Sequence, residues 1–144
     1  MHSKKQLIEL LHSLQCSCIV ANERTTFTFH ERGVKDLHRL LRDEQQPLKG
    51  ALIADKVVGK GAAALMIAGG AKWIYAKVIS EAALSLFSTS SVEVEYEVKV
   101  AHIINRSGTD ICPIEKLCAT FSSAEECLTP IDEFVKNMQE KRDD

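Results

Sequence analysis

The residue with the clearest chemical potential is Cys112. It precedes Pro113, and proline suits the first turn of a helix, so Cys112 is expected at an N-cap with Glu115 at the third helical position. The thiol then takes the place of the hydroxyl in a capping box. A helix N-terminus and a neighbouring cation both favour a thiolate; Arg106 supplies the cation, while Glu115 opposes the effect. Cys112 is therefore the candidate nucleophile or redox group. Against it stands the absence of a paired general base, which leaves an inert core thiol as the competing reading. The stretch Ile104 to Glu115 is the densest polar segment between apolar elements, and it adds Asn105, Arg106 and Thr109 as ligand-binding candidates.

A second group lies earlier in the chain. Val58-Gly59-Lys60-Gly61 invites comparison with a phosphate-binding P-loop, but Ala54 stands where the first glycine belongs and Gly61 where a hydroxyl residue must follow the lysine. Both requirements fail. Lys56 and Lys60 are expected on one face at the start of a helix capped by Asp55, where the helix dipole welcomes an anion. The alternative is that both ammonium groups simply reach water. Ser80-Glu81, at the exit of a core strand into a helix, would bring a hydroxyl, backbone donors and a carboxylate to the same crevice. A plain N-cap is the competing role for Ser80.

Composition narrows the partners. With 18 basic and 20 acidic residues interspersed and a net charge of -2, there is no long-range field to collect nucleic-acid polymers or anionic lipid. The longest apolar run, Gly61 to Gly70, is too short for a membrane span and ends in a helix stop at Gly69-Gly70. The opening residues run straight into an amphipathic pattern without a signal core, so secretion is not expected. Five cysteines without a CxxC pair point to reduced thiols in a cytoplasm and to no structural zinc of standard spacing. Cys16 and Cys18 are expected on one face of a strand, packed in the core rather than holding a soft metal with Cys112 or Cys118. His30, His38 and His102 have no ligand spacing.

The elements that must position these residues follow from periodicity. Leu7, Ile8, Leu11 and Leu14 predict an amphipathic helix over 4–15,. Cys18 to Ala21 and Thr25 to Phe29, joined by Asn22-Glu23-Arg24, predict a hairpin. A helix is expected over 34–42, a short buried strand at 51–53 and a helix apolar almost all round over 57–68,. Then come a core strand at 73–79, a helix from Ser80 through Phe87 and a more exposed strand at 92–96,. The chain closes with a helix from Pro113, a longer one over 124–138 and a charged tail from Gln139. Strands alternating with helices predict one α/β domain with a mixed sheet and a single antiparallel hairpin.

Glu31-Arg32-Gly33, Ala54 through Lys60, Val78 through Glu81, and Asn105-Arg106 through Cys112-Pro113-Ile114-Glu115 together resemble the family known as domain of unknown function 1893. The resemblance extends from about Leu7 to Phe134. That family is grouped with the cytidine deaminases, which implies a three-layer α/β/α sandwich with the helix at 34–42 as an insertion. Working deaminases place a His or Cys two residues before a Glu at one helix start, and Pro-Cys-x-x-Cys at the next. The corresponding places here read Asp55-Lys56-Val57 and Ser80-Glu81-Ala82-Ala83-Leu84, so the resemblance implies a scaffold without its zinc ligands and without a cofactor. Asp55, Lys56 and Ser80, with Asn105, Arg106, Thr109 and Cys112, are then expected to converge on the former zinc cleft. Three functions remain open at this level: a metal-free domain binding a small anionic or nucleotide-like ligand, a cysteine-dependent enzyme or redox protein using Cys112, and a structural module that self-associates, for example as a homodimer.

Overall fold

The computed structural model describes residues 2–31, 33–105 and 107–143. Its first helix, α1 (Lys4–Ser13), is fixed by a capping box in which Ser3 and Gln6 satisfy each other's backbone N–H groups, and it buries Leu7 and Leu11,. The hairpin follows: β1 (Cys18–Ala21) runs antiparallel to β2 (Thr26–Phe29), with Cys18 opposite Phe29. Asn22 makes the turn, its side-chain oxygen accepting the N–H groups of Arg24 and Thr25 at 2.8 Å each,. After α2 (Lys35–Arg42) come β3 (Leu52–Val58), α3 (Lys60–Gly69), β4 (Trp73–Ser80), α4 (Glu81–Ser88) and β5 (Glu93–Val100). The short α5 (Pro113–Cys118) and the closing α6 (Ala124–Asp143) complete the order, α6 continuing through the segment expected to be a charged tail.

These strands form one five-stranded sheet in the order β2-β1-β3-β4-β5. β1 is antiparallel to β3, whereas β3, β4 and β5 are parallel. The sheet separates two apolar clusters. On one face α1 packs Leu7 and Leu11 against Ile19, Leu52 and Trp73. On the other, Ile53 and Ile74 from the sheet meet Leu37, Leu65, Phe87, Ile114 and Ile131 from the helices. The result is the expected three-layer α/β/α sandwich, with a mixed sheet as the middle layer.

Three local expectations change. β3 does not stop at residue 53 but continues to Val58, so Asp55 is a strand residue and caps nothing. The apolar run misleads here because β-branched Val57 and Val58 also suit a strand, and both find partners on β4 at Val78 and Ile79. Gly59 then becomes the N-cap of α3. β5 likewise extends past residue 96 to Val100, held by parallel pairing to β4 as far as Ser80. Cys16 and Cys18 do not share a face: Cys16 packs with α1 and Cys18 on the opposite side of the sheet. The strand begins only at Cys18, and Gln15 just before has φ 53°, so strand alternation does not reach back to Cys16. The end of α3 is as read, with Gly70 in the left-handed region at φ 84°, a conformation that favours glycine.

Candidate functional site

A cavity of ≈ 200 Å³ opens on the helix-rich side of the sheet, beside the C-terminal end of β3. Cys18 and Phe29 line it from the hairpin, Val34 and Leu37 from the α2 region, and Ile103 and Ile114 from the later part of the chain. The start of α3 contributes Gly59, Gly61 and Ala62. This is the position where α/β sheets hold ligands, outside the carboxyl ends of parallel strands and before a helix N-terminus. Among its polar lining residues are Asp55, Lys56, Cys112 and Glu115.

Asp55 is 8% exposed. It sits opposite Cys18 in the β1–β3 pairing, its Oδ1 accepts the Val57 N–H at 3.2 Å, and the Cys18 thiol is a second hydrogen-bond partner. Burial dominates these bonds and pushes the carboxyl up to about 7,. Burial, and after it the neighbouring Asp55, holds the Cys18 thiol well above its ordinary value.

Glu115, 4% exposed, is the second buried carboxyl of the cavity. Its Oε2 accepts the Lys60 N–H at 2.7 Å, so a side chain on α5 caps α3 from 55 positions away in sequence,. Its Oε1 is buried without a hydrogen-bond partner among the described residues. The glycines around Lys60 exist for this contact. A Cβ on Gly59 would lie 2.5 Å from Glu115 Oε2, and one on Gly61 would lie 2.1 Å from Ile114 Cγ2. The Gly-Lys-Gly sequence therefore serves close approach of α5 to α3. The capping box expected within α5 does not form: Cys112 makes no side-chain cap, and its N–H donates to Ile103 O at 2.8 Å.

A family model described as Domain of unknown function (DUF1893) matches residues 6–135. The chain belongs to the DUF1893 family. A crystal structure of a DUF1893 family protein from Thermotoga maritima is similar to it with a TM-score of 0.81 and 28% identity, covering 92% of this chain and 92% of that one. No curated protein matches the sequence.

In this DUF1893 domain the remaining candidates do not all reach the cavity. Lys56 lines the cavity from β3, but Lys60 does not share its face. Lys60 is buried, and its ammonium donates to Ala119 O at 3.4 Å and to Phe121 O. A cation misplaced at the start of α3 is thus matched to carbonyls at and just beyond the C-terminal end of α5, where the dipole favours it. Ser80 is fully buried, and its Oγ accepts the Ala83 N–H at 3.1 Å as a plain N-cap; exposed Glu81 follows it. Neither lines the cavity. Asn105 and Thr109 organise their own loop instead, Asn105 Oδ1 accepting the N–H groups of Thr109 at 3.1 Å and Asp110 at 3.4 Å. Arg106 lies outside the described residues. Cys112 reaches the cavity and is the one cysteine that is not buried.

The structure thus joins Asp55, Lys56 and Cys112, leaves Ser80, Glu81, Lys60, Asn105 and Thr109 elsewhere, and adds Glu115 and Cys18. Glu115 was visible in the sequence only as a local capping residue. Its true signal, the pair of glycines flanking Lys60, is legible only once α5 is known to lie against them.

Proposed function

We propose that the protein is a small-molecule-binding domain on a cytidine-deaminase-like scaffold, with the cavity beside β3 as its ligand site. One observation carries this reading: an apolar cavity of ≈ 200 Å³ contains two carboxyl groups from residues more than nine-tenths buried. About 150 Å³ is enough to hold benzene, so the space suits a single ring system. Lys56, partly exposed and lining the same cavity, offers an anionic substituent a partner. A nucleotide-like molecule, with its ring inside and its charged group near Lys56, combines these features.

The zinc of an active deaminase does not fit these residues. Asp55 is bonded to Val57 N–H and the Cys18 thiol, Ser80 is occupied as a cap away from the cavity, and among the described residues no three His, Cys, Asp or Glu side chains cluster as a metal site requires,.

Titration of AMP, CMP and the parent nucleosides into isotopically labelled protein tests the reading by amide shifts. Saturable changes are expected at Gly59, Ala62, Ile103 and Ile114, with Lys56→Ala weakening the monophosphates and sparing the nucleosides. Shifts confined to other surfaces, or equal effects of Lys56→Ala on both classes, would contradict it. A thiol-dependent activity is the second reading, favoured by the partly exposed Cys112 at the cavity.

A further inference from the structure

The cavity's charge is one-sided in a way that its walls do not resolve. Its described lining residues include four acidic side chains, Glu31, Asp36, Asp55 and Glu115, and one ammonium, Lys56. Glu31 pairs with Lys35 at 4.0 Å and Asp36 with Arg39 at 3.5 Å. Asp55 and Glu115 have no basic partner among the described residues. Glu115 spends one oxygen on the Lys60 N–H and holds the other buried and without a hydrogen-bond partner among the described residues. A buried acceptor left in this state costs about 1–3 kcal/mol, more when it is charged, unless something else supplies the missing donor.

From this we infer that the group bound deepest in the cavity is a planar nitrogen centre presenting N–H donors, of the amidinium class, received by Glu115 Oε1 and Asp55. The inference rests on reading the cavity as a ligand site and names the chemistry recognised there. An anionic group is disfavoured at this depth. The helix N-terminus that would attract it already holds the Glu115 carboxylate, and a second anion would meet two carboxyls without a basic partner in a poorly screened space. A planar donor pair matches carboxylate oxygens in the way a guanidinium does, with two directed N–H···O bonds. The apolar walls around it hold the ring that carries the nitrogen centre. Any anionic part of the same ligand belongs with Lys56.

Three ring-matched probes separate the possibilities: benzamidine, its anionic counterpart benzoate, and toluene, each titrated into the full chain at pH 8 with amide shifts as the readout. Benzamidine is expected to perturb the cavity residues and to bind at least tenfold more tightly than benzoate. Glu115→Gln keeps an oxygen for the Lys60 N–H but puts a donor where the unpartnered acceptor stood, so it should weaken benzamidine at least tenfold and leave toluene unchanged. Asp55→Asn is the second variant, with the same direction of change, and serves if Glu115→Gln fails to fold. Benzoate equalling benzamidine, or benzamidine unaffected in the folded variants, overturns the inference. Toluene binding without any preference for benzamidine defeats the inference alone. No perturbation of the cavity by any probe defeats the ligand-site reading as well.

Discussion

Replacing Asp55 with Asn is expected to reshape the pH dependence of stability. The native carboxyl holds its proton up to about 7, against an ordinary value of 3.8. Between these values the native state binds more protons than the unfolded chain, so stability falls as pH rises. The contribution is fully present below 3.8 and is lost as pH passes through about 7. At about 1.36 kcal/mol per decade of binding constant, the interval from 3.8 to about 7 corresponds to roughly 4 kcal/mol, an upper bound for a side chain in direct contact with a cavity,. Asn keeps an oxygen for the Val57 N–H but introduces donors of its own, a change whose energy does not vary with pH. The slope, not the absolute stability, therefore carries the test. Urea unfolding of both proteins at pH 5, 6, 7 and 8 should show the variant gaining on the parent by more than about 2 kcal/mol across the series. Asp132 does not interfere: burial opposes it, but hydrogen bonds from Arg42 and His38 outweigh burial and hold its carboxyl below the usual value, so its titration lies on the acid side. A difference independent of pH, or one that shrinks toward pH 8, would refute the assignment of Asp55 as a buried, protonated acid.

Two further predictions concern the packing around the cavity. Gly61→Ala replaces a poor helix former with the best one, a change that favours an ordinary helix by about 0.5–1 kcal/mol. Here the new Cβ would stand 2.1 Å from Ile114 Cγ2, so a net loss of about 1–3 kcal/mol is expected from overpacking in chemical denaturation, and a more stable variant would show that α5 yields freely. Alkylation with iodoacetamide followed by peptide mapping should modify Cys112 first. The other four cysteines are buried, and burial also raises the thiols of Cys16, Cys18, Cys118 and Cys127. Earlier modification at any of those four would contradict the exposure argument and remove the basis for a thiol-dependent activity.

Much of the fold is written in short-range pattern. Leu7 and Leu11 sit one helical turn apart and both face the sheet; Ser80 caps α4; Pro113 opens α5; and Cys18–Ala21 occupies the predicted strand. Periodicity, capping and turn chemistry act between residues a few positions apart, so the sequence alone determines them. The site is different. Asp55 resembles a helix cap because Val57 and Val58 suit either a buried helix or a buried strand, and only pairing with β1 and β4 decides between them. Lys60 belongs with Lys56 on a helical wheel, yet its ammonium is drawn to carbonyls near the end of α5. Glu115 serves a helix 55 residues before it. Its role depends on two glycines thin enough to admit α5, and on a cavity that exists only because helices from distant parts of the chain close over one end of β3. No local rule encodes contacts of that length; the tertiary packing alone decides which acids end up buried without a basic partner, and therefore what the cavity can bind.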